Sequence, residues 1–118
     1  MKEDLIIYQK YIDLINYVYV LLKKYPKSEK FALVSEIRAN MFKTLQKILV
    51  ISHEYERNAK LKTLNELDAL INMHKFYTRF SYNQRYINSN NYMEWSKKIS
   101  EIGKIAGGWY NHYAQTPK

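Results

Sequence analysis

Apolar residues recur along this chain at alternating steps of three and four, the spacing of one face of an α-helix, and nowhere in the strict alternation of a half-buried strand. The first such stretch runs from about Glu3 to Tyr25 and ends before Pro26, with Tyr8, Tyr11, Ile15, Val18, Leu22 and Tyr25 on one face. Leu5, Ile6, Ile7, Leu14, Tyr17, Tyr19, Val20 and Leu21 fall outside that stripe, so this helix is apolar on a second side as well. In a domain this small, a helix apolar most of the way round is expected to pack that second side on another subunit. A second helix, about 28–52, opens on Pro26-Lys27-Ser28 and carries Phe31, Val34, Ile37, Met41, Leu45 and Ile48. After a charged turn, His53 to Lys60, a third helix spans about 60–86, with Leu61, Leu64, Leu67, Ile71, His74 and Thr78 on one face and Leu70, Tyr77 and Phe80 beside it. The polar link Ile87-Asn88-Ser89-Asn90 precedes a fourth, about 91–110, which Asn91 and Glu94 are placed to cap. Long helices joined by short links fold back on their neighbours. The fold class is therefore all-α: one domain, residues 1–118, forming an antiparallel up-down-up-down four-helix bundle.

The fourth helix holds all three glycines, Gly103, Gly107 and Gly108, inside the stripe Trp95, Ile99, Ile102, Ala106, Trp109 and Tyr113. A glycine within a helix costs about 1 kcal/mol relative to alanine. Two readings follow. The helix stops at Gly107-Gly108, or Gly103 and Gly107, four apart, leave a bare strip for close approach by another backbone.

Charge adds a second layer. The chain carries 19 Lys and Arg against 11 Asp and Glu, a net +8, which suits an anionic partner without naming it. Lys, Asn, Ile and Tyr are all abundant, so placement says more than the total. In the predicted bundle, residues 15–40 and 73–100 share one half. That half holds ten cations, Lys23, Lys24, Lys27, Lys30, Arg38, Lys75, Arg79, Arg85, Lys97 and Lys98, against Glu29, Glu36 and Glu94. Tyr25, Tyr82, Tyr86 and Tyr92 lie among them, as side chains that stack on unpaired bases would. The ten cations are the candidate nucleic-acid contacts, on charge placement alone. A lysine-rich helix end is also an ordinary solvated surface, and tyrosines at helical spacing also form cores.

Other chemistry is missing. No cysteine occurs, which removes disulfides and thiolate sites and fits a cytoplasmic protein. Acids at Glu3 and Asp4 are unlike a secretory signal, and the longest unbroken apolar run, Tyr17 to Leu22, is far short of the roughly 20 residues of a membrane helix. No Glu-x-x-His pair, zinc motif, phosphate-binding glycine loop or nucleophile elbow is present. His74 lies on an apolar stripe, as a hydrogen-bonded core histidine would. The expectations are no enzyme, no metal or other cofactor, no small-molecule substrate and no membrane partner.

Two segments go further than fold class. Tyr25-Pro26-Lys27-Ser28-Glu29-Lys30-Phe31-Ala32-Leu33, followed by Glu36-Ile37-Arg38, resembles the start of the second helix in the four-helix-bundle family of 23S rRNA intervening-sequence proteins and accessory variability determinant (Avd) proteins of diversity-generating retroelements. Glu101-Ile102-Gly103-Lys104-Ile105-Ala106-Gly107-Gly108-Trp109 is similar to the closing segment of the Avd branch. The other branch usually has Asn-Ile-Ala-Glu-Gly in its second helix, where this chain has Phe42-Lys43-Thr44-Leu45. The resemblance implies a non-catalytic homopentamer, a barrel of bundles, that binds RNA or DNA and the retroelement's reverse transcriptase during mutagenic cDNA synthesis. It would put the second apolar face of the first helix, with Leu5, Ile6, Leu14, Tyr17 and Leu21, at subunit contacts, and the strip at Gly103 and Gly107 would let the fourth helix approach a neighbour across a subunit contact or within its own bundle. It assigns no individual nucleic-acid contacts. The alternative is a structural, protein-binding bundle of the intervening-sequence type with no nucleic-acid role.

Overall fold

The structure, a computed structural model, describes residues 2–115; Met1 and residues 116–118 of the expected domain lie outside the described residues. Four α-helices, α1 (Lys2–Leu22), α2 (Leu33–His53), α3 (Arg57–Asn83) and α4 (Ser89–Gln115), account for nearly all of them, with a short 3-10 turn at Lys27–Glu29. No strand occurs among the described residues. Each helix packs on its neighbour in the chain, and α4 closes the ring against α1. Cross-helix contacts fix antiparallel directions: Lys10 with Glu101 and Tyr17 with Asn91 for α1 and α4, Asn40 with His74 and Lys47 with Glu66 for α2 and α3. Arg57 with Tyr113 and His74 with Trp95 do the same for α3 and α4.

The stripes of α3 and α4 appear as expected. Leu64, Leu67, Ile71, His74 and Thr78 are buried against Trp95, Ile99, Ile102 and Ala106. Along and just past α1, Tyr11, Ile15, Val18, Leu22 and Tyr25 of the expected stripe are buried and Tyr8 is exposed, and the buried face is wider than that stripe, taking in Ile7, Leu14 and Leu21. Leu14 (0% exposed) and Leu21 are thus occupied by the chain's own core, whereas Leu5 (56%) and Ile6 face outward, Val20 is likewise exposed, and Tyr17 is half-buried. This helix is apolar enough over Asp4–Leu22 to span a membrane by length and composition, although a third of that window is buried in the bundle.

In α2 the helix begins at Leu33, not Ser28. The 3-10 turn and an irregular Ala32 (φ −116°, ψ −103°) break the register and leave Phe31 88% exposed.

The fourth helix also starts earlier than expected, on Asn88, whose side-chain Oδ1 accepts from the Asn91 N–H at 2.8 Å. It does not stop at the glycines but continues to Gln115. A Cβ at Gly103 would rest 3.7 Å from both Ile71 Cγ2 and Lys75 Nζ, an ordinary contact; at Gly107 and Gly108 it would meet nothing within 4 Å. Gly107→Ala and Gly108→Ala are therefore expected to stabilise the chain by about 0.5–1 kcal/mol each in urea titrations, through helix propensity and a less flexible unfolded state. A loss of stability instead would mean that a neighbouring backbone lies against them.

The core is crossed by one polar chain. His74 on α3 joins Asn40 on α2 (Nδ1 to Oδ1, 3.1 Å) and accepts from the Trp95 indole N–H on α4 (2.6 Å). Asn40 Nδ2 donates to Leu70 O at 3.0 Å, which fixes the amide's orientation. Trp95 can only donate, so His74 Nε2 carries the lone pair and Nδ1 the proton. Burial pushes the His74 pKa down to about 3.

Candidate nucleic-acid interface

Two links meet at one end of the bundle. The Tyr86 hydroxyl of the α3–α4 link donates to Glu29 of the α1–α2 link at 2.8 Å, and the rings of Tyr25 and Tyr86 pack at 5.1 Å. The Glu29 carboxylate, with burial second, raises the Tyr86 pKa. Burial likewise pushes Tyr25 up to about 12, its hydroxyl lying beside Ser81. These contacts draw the ends of α1 and α3 and the starts of α2 and α4 into one surface.

Six of the ten cations stand exposed on or near that surface: Lys23, Lys24, Lys27, Lys30, Arg79 and Arg85. None is ion-paired among the described residues. Lys30 lies 5.5 Å over the ring of the exposed Phe31. Lys97 is exposed further along α4. Arg38 and Lys98 are engaged, and Lys75 is half-buried. Arg38 is half-buried, its guanidinium 5.2 Å over the Tyr19 ring and its Nε shielded from solvent, so it is a packing residue in this chain. Lys98 pairs with Glu94 (3.6 Å) and lies 5.4 Å over Tyr17. Lys75 lies half-buried between α3 and α4, its Nζ 3.7 Å from where a Cβ on Gly103 would be.

The opposite end uses its cations differently. Arg57 donates to the carbonyls of Tyr113 and Ala114 at 2.7 and 2.8 Å, closing the last turn of α4, and Lys60 bonds the Tyr113 hydroxyl at 3.1 Å. Arg57 and Lys60 there serve the helix terminus, and that half as a whole holds nine Lys and Arg against eight Asp and Glu.

The tyrosines separate in the same way. Tyr25 is buried and Tyr86 is held by Glu29, so both are structural. Tyr82 and Tyr92 instead form an offset stack, with ring centroids 4.5 Å apart and planes within 18°, and Tyr82 is 39% exposed. Phe31 was missed as a surface residue because its spacing continues the α2 stripe; only the preceding Pro26-Lys27-Ser28 hints at a turn extending past it.

The end of α3 is closed by paired backbone bonds, Tyr86 N–H to Ser81 O and Arg85 N–H to Tyr82 O, both 2.9 Å. Arg85 takes the left-handed position, φ 64°, that glycine normally fills. For an L-residue this costs roughly 1–2 kcal/mol.

Among the described residues, no three His, Cys, Asp or Glu side chains are grouped as metal ligands. The surface is built for electrostatic contact and stacking. No curated protein matches the chain. A family model described as bAvd-like matches residues 5–113.

Proposed function

The chain belongs to the bAvd-like family, and from that premise we propose that it is a non-catalytic accessory subunit of a diversity-generating retroelement, binding RNA or DNA and the reverse transcriptase. The supporting observation is the joined pair of links, which gathers Lys23, Lys24, Lys27, Lys30, Arg79 and Arg85 on one end of the bundle. Phosphates bind such a surface by releasing their condensed counterions, whatever the base sequence. The polymerase supplies the catalytic groups; this subunit supplies charge and a docking frame.

Self-association belongs to the same reading. Leu5, Ile6 and Val20 leave apolar surface on α1, and α2 adds Phe42, Leu49 and Val50. Apolar side chains left outward on two helices are the kind of surface that subunit contacts cover. A homopentamer in the cytoplasm is the proposed state.

Co-expression with the reverse transcriptase of the same retroelement tests the proposal. One complex is expected by size-exclusion chromatography with light scattering, and the subunit alone at about five times its 14.3 kDa mass. A monomer that leaves the polymerase unbound would contradict it.

A further inference from the structure

Between α3 and α4, below the linked end, runs a groove of about 180 Å³ lined by Lys75, Arg79, Tyr92, Ser96 and Ser100. With Thr78 and Ile99 completing the lining, it carries two cations and three aliphatic hydroxyls, with no carboxylate. The Lys75 ammonium lies on the Gly103 side of the groove, 3.7 Å from where a Cβ on that residue would be. At its upper end stands the Tyr82–Tyr92 stack, and just beyond is Arg85, held in its left-handed turn.

These features share one chemistry. An aromatic pair with an exposed outer ring offers a face to which a base can add, and a base can reach it only when it is unpaired. Cations and hydroxyls alongside suit the phosphates and sugars of the same strand. A duplex keeps its bases stacked inside and would meet the cations alone. A strained arginine where glycine is easier is the kind of conformational cost found at working sites.

We propose that this groove is a single-strand subsite. Tyr82 stacks an unpaired base, Arg85 and Arg79 hold the adjoining phosphates, and Lys75 with Ser96 and Ser100 follows the strand down the groove. The assignment rests on the nucleic-acid reading above and narrows it from nucleic acid in general to single strands.

Fluorescence anisotropy with a labelled 12-nucleotide single strand and a 12-base-pair duplex of the same sequence tests it, using the full chain. The intact protein is expected to favour the single strand by about tenfold or more, with Tyr82→Ala losing about tenfold on the single strand only and Tyr82→Phe keeping the affinity. Arg85→Gly, which relieves the turn, is expected to melt at the same or a higher temperature yet bind the single strand several-fold more weakly. Unchanged single-strand affinity in both Tyr82→Ala and Arg85→Gly, or equal losses on single strand and duplex, would overturn the subsite and leave the basic end standing. Absence of binding to either probe by the intact protein would overturn both.

Discussion

Between pH 7 and pH 5 the intact chain is expected to lose about 2 kcal/mol of stability that a His74→Leu variant does not lose. The unfolded imidazole titrates near 6.5, whereas burial holds the folded one at about 3. Over that interval the unfolded state binds the proton and the folded state does not, so stability falls as pH falls, by up to about 1.4 kcal/mol per pH unit. The contribution is fully present above 6.5 and is lost progressively toward 3. Protonation would set a second N–H against the Trp95 indole N–H, which has no acceptor to offer. Leucine removes the titration but leaves the Trp95 N–H and Asn40 Oδ1 without their partner. His74→Leu should therefore cost about 3 kcal/mol at pH 7, each buried unpaired group costing about 1–3 kcal/mol. Urea titrations at pH 7, 6 and 5, at fixed protein concentration, check both halves. An intact chain as acid-insensitive as the variant would show that His74 is not held neutral in the core.

Replacing Lys23, Lys24, Lys27 and Lys30 together with alanine is expected to lower affinity for single-stranded RNA by two to three orders of magnitude at 0.1 M salt. Each phosphate neutralised on a single strand contributes about 0.7 to the slope of log affinity against log salt, so four contacts lower that slope by about 3. At one-tenth molar salt the same exponent gives a loss of about 10²–10³. All four side chains are exposed and lie outside the regular spans of α1 and α2, so the melting temperature should not move. Arg38→Ala should behave in the opposite way, lowering stability through lost packing on Tyr19 with little effect on affinity.

The bundle was legible because three helices carry a single apolar stripe at helical spacing. Helix α1 was legible as a helix but not in the width of its buried face: apolar residues occupy so many positions that the stripe through Tyr11, Ile15 and Val18 did not show Ile7, Leu14 and Leu21 to be buried beside it. Gln9, Asp13 and Asn16 mark its outward side and would have placed Leu14 inward. Phe31 and the glycines misled for a different reason. Whether a helix begins at Ser28 or Leu33, or passes through Gly107-Gly108, depends on the backbone at Ala32 and on what packs beside α4, and tertiary contacts override local preference there. At the basic end, side-chain identity located the charge correctly. It could not show that Arg38 and Lys98 are engaged, because Tyr19 and Tyr17 do that from a neighbouring helix and Glu94 from the same one.

The central claim, that the linked end of the bundle is a nucleic-acid surface, is most directly tested by the affinity of the intact protein for single-stranded RNA between 50 and 300 mM salt. Six exposed cations predict a straight log–log plot with a slope near −4. A slope near zero, or no binding at 50 mM, would contradict it.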